Sequence, residues 1–179
     1  MSDSRLSTWL KIFLLIAIAA CSCSVSPTAF ASPEVASANP ESRQMDFWLG
    51  DWTVTYPGMT GRANSKVYVE LDNCMIVENW DGGKGHRGKN MFAYSDDDKN
   101  WHGMFADNQG RVHTFEGKVV NGSGEFTGPS RGSNGETVLN RIKIVRINAN
   151  KVEQSWEKST DNGTTWTMEF HGEYMRKNP

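Results

Sequence analysis

Residues 151–175 read KVEQSWEKSTDNGTTWTMEFHGEYM, and their pattern sets the fold class. Gln154, Trp156 and Lys158 fall on one face of an extended chain. Beyond the Asn162-Gly163 turn, Trp166, Met168, Phe170, Gly172 and Tyr174 share one face, while Thr167, Glu169, His171 and Glu173 share the other. A period of two with one apolar side is the mark of a strand that is buried on one face and wet on the other. Asn-Gly supplies the positive φ that a tight hairpin needs, so the two runs must lie antiparallel.

Moving outward, the same unit recurs along the chain. Turns are expected at Asp72-Asn73, Asp97 to Asn100, Asn108 to Gly110, Asn121-Gly122, Asn134-Gly135 and Asn148 to Asn150. Between them lie strand-type runs near 51–56, 63–71, 74–80, 89–95, 100–107, 111–119, 123–128, 137–147, 151–159 and 164–175. No helical period interrupts them. The pattern predicts one all-β domain over residues 47–179, a single closed antiparallel up-and-down barrel of about ten strands. A barrel of that size can enclose an apolar cavity, and so suggests a ligand. The glycine-rich stretch from Asp81 to Gly88, with His86 and two basic residues, reads as a portal loop.

The ends of the chain carry a different signal. Arg5 and Lys11 flank the start of an apolar run, Ile12 to Ala20, too short to span a bilayer as a helix. Residues 1–31 therefore read as a cleaved signal peptide ending at Ala29-Phe30-Ala31, which implies an exported protein, periplasmic or secreted. Ile18-Ala19-Ala20-Cys21 resembles a lipoprotein box, so a lipid anchor at Cys21 is the alternative. Residues 32–46 would then form a flexible N-terminal segment. Cleavage after Ala31 leaves Cys74 alone, so the barrel must stand on packing without a disulfide. The formal charge is −2 with both signs interspersed, and no basic stripe points to nucleic acid. Seven tryptophans are the compositional outlier; rings at that density either fill a barrel or line its pocket.

Gly50-Asp51-Trp52 matches the Gly-x-Trp core that resembles the opening of lipocalins and the wider calycin group. That resemblance implies a lipocalin-like barrel in which Trp52 plugs one end and Arg176, from the last strand, stacks on it. A guanidinium over an indole is worth about 0.5–2 kcal/mol. A longer match, from Met45 through Phe47-Trp48-Leu49-Gly50-Asp51-Trp52, resembles an uncharacterised family of exported bacterial lipocalin-like proteins with an FWLGxW motif. Leu71-Asp72-Asn73-Cys74, Glu78-Asn79-Trp80, Trp101-His102, Gln154-Ser155-Trp156-Glu157 and Gly172 to Arg176 resemble its later landmarks, so the likeness covers nearly all of residues 45–176. It implies a fold, but no reaction, ligand or catalytic residue. Ser159 to Trp166 also fits an Asp-box spelling, Ser-x-Asp-x-Gly-x-Thr-Trp, and reads as a turn device because ten strands cannot supply a propeller.

The chemistry is less legible. His102 and His113 lie on strands joined by one loop and could meet on one face, yet no third histidine or metal-binding spacing accompanies them. No metal or cofactor is expected. His171, between Glu169 and Glu173, reads as solvated. Arg141 shares its face with Leu139 and Val145 and could meet a ligand carboxylate inside the barrel. Glu78, beside Trp80, could have a raised pKa if buried. No Gly-x-Ser-x-Gly elbow is present and Cys74 has no neighbouring histidine, so binding is favoured over catalysis. The expected function is capture of a small hydrophobic or amphipathic molecule, with Trp80, Trp101, Phe105, Trp156, Trp166, Phe170 and Tyr174 as wall and Glu78 and Arg141 as polar groups. The alternatives are an isomerase or cyclase using Glu78, Arg141 or His102 as proton carrier, and a solid-cored barrel that works through an exterior patch on a cell-envelope partner.

Overall fold

The computed structural model describes residues 39–58 and 61–177. Two short 3-10 turns, Pro40–Arg43 and Asp46–Trp48, lead into ten strands. These are β1 (Gly50–Thr55), β2 (Ala63–Glu70), β3 (Met75–Asp81), β4 (Arg87–Ser95), β5 (Asn100–Asp107), β6 (Val112–Val120), β7 (Ser123–Arg131), β8 (Thr137–Asn148), β9 (Lys151–Ser159) and β10 (Thr167–Arg176). Each pairs antiparallel with its sequence neighbours, and β1 pairs with β10, so the sheet closes into an up-and-down barrel with no free edge. The turns have the expected backbone: Asn121 and Gly122 stand at φ 51° and 79°, Asn162 and Gly163 at 56° and 86°.

The signal-peptide and lipid-anchor expectations for residues 1–31 lie outside the described residues, as does the start of the segment from residue 32. Its described part, residues 39–46, is folded. The Asn39 side chain accepts from the Glu41 amide, and Met45 is fully buried. No helix among the described residues is long and apolar enough to cross a membrane.

These turns and the following strand close one end of the barrel. Trp48 and Trp52 are wholly buried, and the Trp52 indole donates to the Trp48 carbonyl at 2.9 Å. The Arg176 guanidinium lies 4.2 Å from the Trp52 ring centroid, and its Nη1 donates to the Leu49 carbonyl at 2.8 Å. Gly50 makes that approach possible: at φ 135°, a Cβ there would sit 2.2 Å from Arg176 Nη1. Above this plug, Phe92 packs against Trp48 and Phe126 with ring centroids 6.1 and 4.7 Å apart. The Trp101 indole donates to Gln44 at 3.1 Å, whereas the Trp48 indole N–H is buried without a partner. This half of the barrel is solid.

One irregularity changes which side chains face inward. On β10 the register slips between Met168 and Phe170, so that Met168 opposes Glu157 and Phe170 opposes Trp156. Glu169 is the extra residue of a bulge, and a bulge inverts the alternation on one side of itself. Met168, expected inside with Phe170, is therefore outside and 52% exposed. Trp166, before the strand begins, also lies off the interior.

Candidate functional site

The barrel's other end, where β1, β3, β5, β7 and β9 finish, holds a cavity of about 290 Å³ that opens outward. Its lining follows from the register, as three rungs of inward-facing residues on the same strands. The floor consists of Glu78 on β3, Asn90 directly opposite it on β4, Gln154 on β9 and Tyr174 on β10. Two residues further along the strands come Trp80, Trp156 and, past Gly172, Phe170, joined by Phe105 from β5. Tyr56, His86, Arg111, Lys158 and Glu169 form the mouth, and His113 lies beside the aromatic wall.

The wall rings meet edge to face. Phe105 and Trp156 have centroids 5.2 Å apart at 82°, and Trp80 and Phe170 6.2 Å apart at 87°. A buried asparagine behind the wall fixes one of them: Asn140 Oδ1 accepts from the Trp156 indole at 3.0 Å while its amide donates to Ser130 at 2.8 Å. That bond sets the indole plane before any guest arrives.

Glu78 is 1% exposed. Ser65 Oγ donates to one carboxyl oxygen and Asn90 Nδ2 to the other, each at 2.6 Å. Burial pushes the Glu78 pKa up, although the hydrogen bonds of Ser65, Asn90 and Tyr174 oppose that rise. Tyr174, fully buried and next to the Glu78 charge, is raised well above the usual phenol value. Its hydroxyl donates to Gln154 Oε1. Three buried polar atoms of residues around the cavity have no partner among the described residues: Trp80 Nε1, Asn90 Oδ1 and His113 Nδ1. Burial and the nearby charges of Lys158 and Arg111 lower the His113 pKa, against the pull of Asp107.

The mouth is braced by ion pairs. Asp107, whose side chain is fully covered, accepts from His86 at 3.0 Å and pairs with Arg111 at 2.5 Å. Burial disfavours its charge, but the bonds from His86, Arg111 and the Gln109 amide outweigh that and hold its pKa far below the ordinary value. Asn108 donates to the Gly85 carbonyl at 2.7 Å and accepts from the Arg87 amide at 3.0 Å. The loop expected as a portal is thus tied to the β5–β6 turn. Lys158 pairs with Glu169 at 2.9 Å.

Of the residues singled out from sequence, the cavity brings together Glu78, Trp80, Phe105, Trp156, Phe170 and Tyr174. Three stand elsewhere. Trp101 faces inward but lies in the solid half, bonded to Gln44. Arg141 points outward, paired with Glu157 at 2.7 Å and stacked 4.0 Å over the Trp166 ring, which places Trp166 outside too. On β8 it is Val138, Asn140, Ile142 and Ile144 that face the core, and Arg141 has the opposite parity. His102 and His113 do not meet: His102 binds Asp98 at 2.8 Å on the outer face, whereas His113 faces inward. Asn90, Ser65, Gln154 and the mouth residues other than His86, which fell in the expected portal loop, were not foreseen as site residues from sequence. The available signal was a polar residue at an inward position, since Asn90 shares parity with Phe92.

The Asp-box stretch is a turn. Asp161 accepts from the Thr165 amide at 2.8 Å and its hydroxyl at 2.6 Å, which, with Ser159, holds its pKa down to about 2. Among the described residues no group of three or more His, Cys, Asp or Glu side chains is placed to hold a metal ion. No family model matches this chain, and no curated protein is a significant match to it.

Proposed function

We propose that the protein binds one compact amphipathic molecule in the open half of its barrel. The observation that carries this reading is the cavity itself, walled by preset aromatic rings and floored by buried groups with hydrogen-bonding capacity left over. Its size narrows the guest. A cavity of about 150 Å³ holds benzene, so 290 Å³ suits roughly ten to fifteen heavy atoms, and a long fatty acid or a retinoid would have to project from the mouth. At roughly 0.5 kcal/mol per heavy atom, affinity would be about 3–200 μM. The stacked Trp52 and Arg176 support the lipocalin-like reading, because they occupy the plug that the resemblance implies.

Calorimetric titration with two-ring aromatics, alongside palmitate and retinol, tests the reading. Saturable binding of the small compounds alone is expected; no heat from any of them would remove it. A catalytic variant of this reading now depends on Glu78, since Arg141 and His102 stand on the outer face. Its carboxyl combines burial with contact to the cavity, which is what a general acid requires. Export is part of the proposal and is supported by the leader-like residues 1–31. Sequencing the N-terminus of the released protein should find Ser32, and a blocked, acylated Cys21 would favour the anchored alternative.

A further inference from the structure

The floor of the cavity is specific about what its guest can present. Asn90 is 4% exposed and spends its amide nitrogen on Glu78, which leaves Oδ1 as a buried acceptor without a partner. Burying an acceptor unpaired is costly, and a guest that donates to it recovers that cost. One rung nearer the mouth, Trp80 Nε1 is a buried donor without a partner. A hydroxyl has the chemistry to donate to the first or accept from the second.

Charge is excluded from the floor on both signs. An anionic head on the floor would be stripped of water with no cation beside it, because the cavity's cations are at the mouth, where Arg111 pairs with Asp107 at 2.5 Å and Lys158 with Glu169 at 2.9 Å. A cationic head would need Glu78 ionised in a site it seals from water, and such burial of two charges returns little. Resting on the reading of the cavity as a ligand site, we propose that its occupant is a compact aromatic bearing an uncharged hydrogen-bond donor, a phenol or a ring N–H, seated on Asn90 Oδ1.

The test uses the full chain and five naphthalenes substituted at the same ring position: naphthol, methoxynaphthalene, acetonaphthone, naphthoate and naphthylmethylammonium. Naphthol is expected to bind about tenfold more tightly than methoxynaphthalene, which keeps the oxygen and loses the donor. Both ions should bind more weakly than naphthol by at least that factor. In the Asn90→Leu variant the gap between naphthol and methoxynaphthalene should close to within about twofold. Equal affinity for the two in the unaltered protein overturns the proposal, so the test survives a variant that fails to fold. A preference for acetonaphthone also overturns it, because it would put the Asn90 amide nitrogen toward the guest and its oxygen on a protonated Glu78. Tightest binding of either ion overturns it as well. If none of the five binds, the cavity reading itself fails.

Discussion

The two halves of this barrel use the same kind of residue to opposite ends. In the closed half, Trp48, Trp52, Trp101, Phe92 and Phe126 are all buried in one packed cluster, and Arg176 stacks on the plug. In the open half, Trp80, Phe105, Trp156 and Phe170 stand around a void. Ring content does not separate the two. The difference is the polar rung between them: Ser65 and Asn90 bond to Glu78, Tyr174 bonds to Gln154, and these residues cannot release those bonds to collapse into the space above. A buried polar network that is mutually bonded is stiff, and here it works as a spacer.

The largest expected effect breaks the comparison from the solid side. Trp52→Ala should cost about 3–5 kcal/mol in urea unfolding, because it empties a fully packed site and strips Arg176 of its stacking partner. Phe170→Ala, at the half-exposed wall, should cost only about 1–2 kcal/mol, since its ring already borders space. Its larger consequence should be on guest affinity. Equal losses of stability would mean that the open half is as tightly packed as the closed one.

The sequence shows which residues share a face, but not how deep along the barrel each one sits. Trp101 and Phe105 alternate correctly on β5 and both point inward, yet roughly 13 Å of strand separates them, and only Phe105 reaches the cavity. Depth depends on register and strand tilt, which are global properties of the closed sheet. The face itself was ambiguous on β8, where Leu139 and Val145 compete with Val138, Ile142 and Ile144 for the inner side. On β10 an unbroken apolar alternation concealed the bulge at Glu169. Strand number, turns and closure were legible because each rests on local chemistry. Of the polar floor only Glu78 was legible, because Asn90, Gln154 and Ser65 come from three further strands and gain meaning only when the barrel brings them to it.

A smaller effect sharpens the comparison at the rung itself. Burial holds Glu78 above its ordinary value of 4.5, so the folded protein binds this proton more tightly than the unfolded chain does. Its contribution to stability is complete below about 4.5 and is lost as pH rises through the folded value. Glu78→Gln cannot ionise, so the variant's stability relative to the unaltered protein should climb with pH from about 4.5 and then level off. Chemical denaturation across pH 4–9 reads this directly. A constant difference would show that the Glu78 carboxyl behaves like one in water and that the floor is wet.

The smallest expected effect tests the barrel's inside against its outside. Arg141 and Asn140 are adjacent, yet Asn140 holds the Trp156 indole inside while Arg141 lies over Trp166 outside. An ion pair with partial access to water contributes little, and Glu157 keeps Lys143 at 3.8 Å as a second partner. Arg141→Ala should therefore cost at most about 1 kcal/mol in stability, including the lost stacking on Trp166. Affinity for a compact aromatic should stay within about twofold, since no atom of that side chain borders the cavity. A carboxylate guest anchored by Arg141 would instead lose at least tenfold, the size of one charge-assisted hydrogen bond. Measured on naphthoate, that loss would return Arg141 to the interior and reverse the phase of β8, and with it the polar spacer that separates the two halves.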